Sequence, residues 1–143
     1  MSGSDQRAAP AAPDGVELPL FPLAAALLPG GSLQLRIFEP RYLDMIGRCM
    51  REGAAFGVVR ILEGGDTGAG GARRMATAGT SARIVDFDTL PDGLLGISCV
   101  GEQCFRVLAR WQRPDGLHMA RVQWLEAASL PSDPRQLAVL LAQ

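Results

Sequence analysis

The segment from Leu18 to Tyr42, LPLFPLAAALLPGGSLQLRIFEPRY, restricts the folds open to this chain more than any other stretch. It is apolar almost throughout, yet Pro19, Pro22, Pro29 and Pro40 break it. A proline donates no ladder hydrogen bond, so a strand that carries one belongs at a sheet edge or beside a bulge. The run also falls short of the ~20 apolar residues that a membrane-spanning helix needs. With Glu39 as its one group of a catalytic type, the segment reads as the spine of a fold, cut into short elements, rather than as an active site.

Val16 to Leu20 is expected to form a first strand, placed at an edge or bulged because of Pro19 and Pro22. Leu27 to Gly31 is a turn, in which Pro29 fixes φ and Gly30 or Gly31 takes a positive φ. Leu33, Leu35 and Ile37 then alternate with Gln34 and Arg36, the pattern of a half-buried strand. Pro40 suits the first position of a helix, with Glu39 at the positive end of its dipole and Gly53 as its stop. Tyr42, Met45, Ile46, Cys49 and Met50 form one apolar stripe along that helix. Phe38, Tyr42, Ile46 and Cys49 are expected to face the sheet and hold the helix against it.

Further strands follow. Phe56 to Leu62 is strongly apolar, and Glu63 to Ala72 carries five glycines in ten residues, the mark of a mobile loop. Thr80 to Leu90 is a strand whose apolar phase slips at Ile84–Val85, which predicts a bulge. Pro91-Asp92-Gly93 and Pro114-Asp115-Gly116 are hairpin turns. They bound a strand pair in which Gly101-Glu102 interrupts the alternation, and Ala120, Val122 and Trp124 alternate in the last strand. Asp133-Pro134 opens a C-terminal helix whose leucines, Leu137, Leu140 and Leu141, either pack back on the sheet or meet a continuation of the chain. One early helix among consecutive strands is an α+β pattern.

The composition removes whole classes of chemistry. The 143 residues suit one domain, and their net charge of −1 offers no basic excess for nucleic acid or acidic membranes. All 14 cations are arginines. With no lysine, a phosphate-loop Lys, a Ser–Lys dyad and a Schiff base are excluded together. Cys49, Cys99 and Cys104 are odd in number and irregular in spacing, which argues for reduced thiols and a cytoplasmic location. The N-terminus lacks a basic region followed by an apolar one, so no signal peptide is expected.

The remaining motifs read as structure. The run Gly64–Gly71 lacks the Lys-Ser/Thr of a phosphate loop, and Gly96 to Gly101 misses nucleophile-elbow spacing by one residue. His118 and the cysteines match no zinc pattern, so neither metal nor cofactor is expected. Asp86 and Asp88 share a strand face beside a turn and read as solvated, while Arg73-Arg74 is too small a basic spot for a nucleic-acid site. Trp111 and Trp124 are core residues or a partly exposed platform.

Two blocks carry a resemblance. ELPLFPL…LLPGGSLQLRIFEPRY (Glu17–Tyr42) precedes a helix, and GTSARIVDFDTLPDGLLGISCVGEQCFRV (Gly79–Val107) follows. In this order they resemble the N-terminal substrate-binding domain of Lon proteases, and more closely the stand-alone bacterial proteins built from it without ATPase and protease parts. Its specific portion is Pro29-Gly30 followed by Phe38, Glu39, Pro40 and Tyr42 of FEPRY. Residues 1–15 are rich in Ala, Pro, Gly and Ser and are expected to be a disordered lead. The resemblance implies a PUA-like mixed β pseudo-barrel over residues 16–127, and a linker with the start of a truncated helical subdomain at 128–143. It also implies a non-catalytic module that recognises unfolded or extended polypeptide, in service of a protease or chaperone system. RNA or nucleotide binding is the alternative, because a fold does not fix a function.

A peptide receptor needs apolar surface beside unpaired backbone groups. Phe21, Leu27, Leu28, Arg36 and Arg41 cluster in sequence around the proline-broken strand and are the candidates to border such a groove. The other reading is that these leucines fill one end of the barrel.

Overall fold

The computed structural model describes residues 15–64 and 72–143. The predicted lead, up to residue 14, and residues 65–71 of the glycine-rich loop lie outside the described residues. The strands are β1 (Val16–Leu23), β2 (Ser32–Ile37), β3 (Phe56–Gly64), β4 (Ala72–Thr89), β5 (Leu95–Gln112) and β6 (His118–Trp124). Helix α1 is Pro40–Glu52 and α2 is Pro134–Leu140. The architecture is α+β, as expected.

The strand pairings run in a ring. β3 pairs antiparallel with β4, β4 with β5, and β5 with β6, while β6 pairs antiparallel with β1 and β1 runs parallel to β3. β2 adds to the first half of β5 outside this ring. Register shifts interrupt three of the pairings, so the sheet is a pseudo-barrel rather than a regular one. The shift between Ile84 and Asp86 is the predicted bulge. The expected interruption at Gly101-Glu102 leaves β5 continuous. Between the pairs Ala82–Gly101 and Thr80–Cys104 it carries one more residue than β4, a bulge that bends the strand.

β1 is a correction. It is not at the sheet edge, and its register runs without a bulge. Val16 to Pro19 pair with β6, and then Leu20 to Leu23 pair with β3. Each half is bonded on one side only, and a one-sided strand tolerates a missing donor as an edge strand does. The prolines mark the handover between partners.

Pro40 starts α1, and Gly53, at φ 64°, ends it in the left-handed conformation. Tyr42, Met45, Ile46 and Cys49 are buried against the barrel beside Phe21, Leu27, Phe56 and Val58. The Tyr42 and Phe21 rings meet with centroids 4.4 Å apart. Two members of the expected packing face solvent instead, Phe38 at 52% and Met50 at 40% exposure. Phe38 continues the outward phase of β2 after buried Ile37, and Tyr42, one turn into the helix, fills the interior site.

The second cluster fills the barrel itself, with Leu18, Leu20, Val59, Phe105 and Val122. β4 begins eight residues earlier than the predicted Thr80, through Met75-Ala76-Thr77-Ala78-Gly79. Gly79 has no room for a side chain because Phe105 lies across from it, and even a Cβ would come within 2.7 Å of the ring. α2 packs back on the barrel, with Leu137 and Leu141 buried against Ala78 and Cys104. The Thr77 N–H donates to the Gln143 carbonyl at 2.7 Å. Asp133 caps this helix, accepting from the Arg135 N–H at 2.9 Å.

Candidate functional site

The loop from β1 to β2 decides which candidate residues reach the surface. Gly30, at φ 80°, donates its N–H to the Gly101 carbonyl at 2.7 Å, and the Gly101 N–H donates to the Gly31 carbonyl at 2.9 Å. The buried Thr80 hydroxyl donates to the Leu27 carbonyl at 2.6 Å. Pinned at both points, the loop turns Leu27 into the core and lays Leu28 partly buried against the α2 cluster. Neither leucine lines the grooves described below.

Arg41 is also committed. Its Nε and Nη2 donate to Glu39 Oε1, each at 3.0 Å, and its Nη1 donates to the Gly116 carbonyl at 2.7 Å. Its guanidinium carbon lies 4.8 Å from the Tyr42 ring centroid. Side-chain exposures are 12% for Arg41 and 18% for Glu39. The pair ties the start of α1 to the second hairpin. An interior arginine with these partners positions structure rather than gripping a ligand.

Phe21 and Arg36 are brought together. A groove of about 280 Å³ runs along β2, lined by residues 34–39 on one side and by Phe21, Leu23 and Tyr42 on the other. Six consecutive residues can line one groove only where it follows the strand's edge, since alternate side chains point to opposite faces. Glu39 belongs to this lining, and its Oε2 is buried with no hydrogen-bond partner among the described residues.

Two more grooves continue this surface. One of about 650 Å³ shares Gln34, Leu35 and Arg36 with the first and extends over Phe87, Leu90 and the carboxylates of Asp86, Asp88 and Asp92. Arg36 forms an ion pair with Asp92 across its rim. The other, of about 380 Å³, shares Asp86 and Phe87 and reaches Val85 and Met50. Phe87 is 56% exposed, and Val85 is exposed beside it. The predicted β4 bulge signals this pair, because a bulge breaks the alternation that would keep one of every two residues inside. Nothing in the local pattern marks Phe38 or Leu23, whose surroundings come from distant segments.

The ionisable groups offer little chemistry. Burial pushes all three thiols up, Cys99 to about 11, with the neighbouring Cys49 adding to the effect at Cys99. Protonated thiols are poor nucleophiles and poor metal ligands. Burial first, then the charges of Arg110 and Arg41, push the half-buried His118 down. Ser98 lies mid-strand between Gln34 and Asp86 rather than on a turn. Among the described residues, no three His, Cys, Asp or Glu side chains are grouped to hold a metal, and no helix is long and apolar enough to cross a membrane. Trp111 is exposed, whereas Trp124 packs edge-on to Phe105 at 6.0 Å. Arg74 is paired loosely with Glu63 at 3.8 Å.

Solved structures are similar to this chain in fold, and curated proteins are similar to it in sequence. The crystal structure of a Lon N-terminal domain protein from Xanthomonas campestris superposes with a TM-score of 0.70 at 38% identity, covering 90% of this chain and 76% of that one. The N-terminal domain of a Mycobacterium avium complex Lon protease gives 0.61 at 15% identity, covering 82% and 59%, a likeness of fold alone. Protein cereblon of Danio rerio is 32% identical over 121 residues, which are 82% of this chain and 27% of the relative. The Xenopus tropicalis protein is 28% identical over 119 residues, 80% of this chain and 25% of the relative. The chain thus spans about a quarter of the length of these curated relatives. The model of the ATP-dependent protease La (Lon) substrate-binding domain matches residues 17–143. The chain belongs to the Lon substrate-binding domain family.

Proposed function

We propose that this protein is a non-catalytic receptor for unfolded or extended polypeptide, acting as the recognition part of a cytoplasmic protease or chaperone system. The observation that carries the reading is the run of three adjoining grooves from the β2 edge across β5 and β4 to the end of α1, each bordered by exposed apolar side chains. Phe38, Met50, Val85 and Phe87 are exposed there beside three grooves that share walls. Unfolded chains offer scattered apolar side chains, and a surface of separate apolar spots beside a strand edge accepts them without demanding one sequence. The family's substrate-binding role supports the same reading, and three buried free thiols suit a reducing cytoplasm.

The test is a fluorescence-anisotropy titration of the purified protein against labelled, reduced and carboxymethylated α-lactalbumin, with the native folded client as control. Saturable binding of the unfolded client alone is expected. Equal binding of folded and unfolded forms, or none in the micromolar range, refutes the proposal.

A further inference from the structure

The polypeptide-binding reading leaves open where a client's backbone is held, and β2 offers a place. Among the described residues, β2 pairs with β5 only, through six consecutive registered positions without a shift. The ladder's phase follows from its end. The Gly101 N–H donates to the Gly31 carbonyl, so Gly31 belongs to the set of residues bonded to β5. Antiparallel alternation puts Leu33, Leu35 and Ile37 in that set too. The N–H and C=O groups of Ser32, Gln34 and Arg36 therefore point to the open side. Natural edge strands are commonly blunted by proline, a bulge or an inward charge. SLQLRI has none of the three, since its one charge, on Arg36, points outward.

The space beyond that edge is shaped for a strand. The groove beside it has Phe21, Leu23 and Tyr42 as its far wall and exposed Phe38 at one end. Glu39 adjoins Phe38 in this lining, with its Oε1 held by Arg41.

We propose that an extended, apolar-rich segment of a client polypeptide adds as a strand to the open edge of β2, bonding Ser32, Gln34 and Arg36 and seating alternate side chains against Phe21, Leu23 and Phe38. This rests on the polypeptide-receptor reading and names its site. The outward backbone of β2 supplies affinity independent of sequence, and the groove selects for apolar residues at every second position.

Two variants test it, with the same labelled client. Gln34→Pro removes an outward N–H at a position where an edge strand accepts proline. Phe38→Ser removes an exposed ring. Each folded variant should bind the client at least about tenfold more weakly, since backbone pairing and an apolar anchor each contribute on that order. In hydrogen exchange, the amides of Ser32, Gln34 and Arg36 should slow on client binding, while those of Leu33 and Leu35 are slow beforehand. A wild-type protein that binds no client refutes the receptor reading itself. Wild-type binding that both folded variants retain, with the Gln34 amide unchanged, overturns the β2 site alone. A wild-type dimer in sedimentation that Gln34→Pro converts to monomer also overturns it, because the edge is then taken by a second copy.

Discussion

Alanine at Gly57 or Gly79 should destabilise the protein, against the usual preference of strands. In a strand interior, glycine normally costs about 0.5–1 kcal/mol relative to alanine, so the ordinary expectation is a gain. Here the Cβ has no room. At Gly57 it falls 2.8 Å from Phe105 Cζ and 2.9 Å from Leu20 Cδ2. At Gly79 it falls 2.5 Å from the Val58 carbonyl oxygen, 2.7 Å from Phe105 Cζ and 2.8 Å from Val59 Cγ1. Ordinary contacts lie near 3.5–4.0 Å, and overpacking a filled core costs about 1–3 kcal/mol. Subtracting the normal gain leaves a net loss of about 1–2 kcal/mol for Gly57→Ala. Gly79→Ala should lose at least about 3 kcal/mol, because a backbone carbonyl cannot rotate away as a side chain can. For a chain of this length the smaller loss corresponds to a Tm lower by about 3–7 °C. Urea denaturation followed by tryptophan fluorescence reads both, with Trp124 packed edge-on to Phe105 as a local reporter. Combining each alanine with Phe105→Leu separates the causes. Only side chains obstruct Gly57, so that double variant should recover on the order of 1 kcal/mol of coupling. Little should return at Gly79, where the carbonyl remains. Alanine variants as stable as the wild type would falsify the account of why these strands carry glycine, and equal recovery at both sites would refute the role given to the Val58 carbonyl.

His118 makes stability depend on pH. Its folded pKa is lowered, so the native state favours neutral imidazole, and the unfolded state takes up the proton first as pH falls below about 6.5. Its contribution is therefore intact above that value and lost as pH falls through the folded pKa. Between about pH 8 and about pH 5 the Tm of the wild type should drop more than that of His118→Gln, and parallel curves would rule the effect out. Cys49, Cys99 and Cys104 are buried with raised pKa values, so a disulfide reagent should titrate none of them in the native protein and all of them in denaturant. Rapid native labelling of any one would show that its cover opens.

Much of the fold was legible because local rules govern it. Pro40 and Gly53 bound α1 for reasons contained in their own backbones, and the slip at Ile84–Val85 is a bulge because alternation has a period of two. The turns at Gly93 and Gly116 take the positive φ that their sequences call for. The candidate site was legible only in part. Phe21 and Arg36 flank one groove. Leu27, Leu28 and Arg41, equally apolar or equally cationic in sequence, are claimed by Thr80, by the α2 cluster, and by Glu39 with Gly116.

The sequence by itself determined the element types, the turns, the exclusion of lysine chemistry and the resemblance to Lon N-terminal domains. Periodicity, φ preference and residue inventory are properties of neighbouring residues, and no distant contact is needed to read them. Tertiary structure alone decided that β1 passes from β6 to β3, that Gly57 and Gly79 must lack a side chain beside Phe105, and that Phe38 faces water while Tyr42 lies inside. It also decided that β2 keeps an open edge. Each of these depends on which remote segment arrives alongside, and an apolar side chain reads the same in sequence whether or not a neighbour comes to cover it.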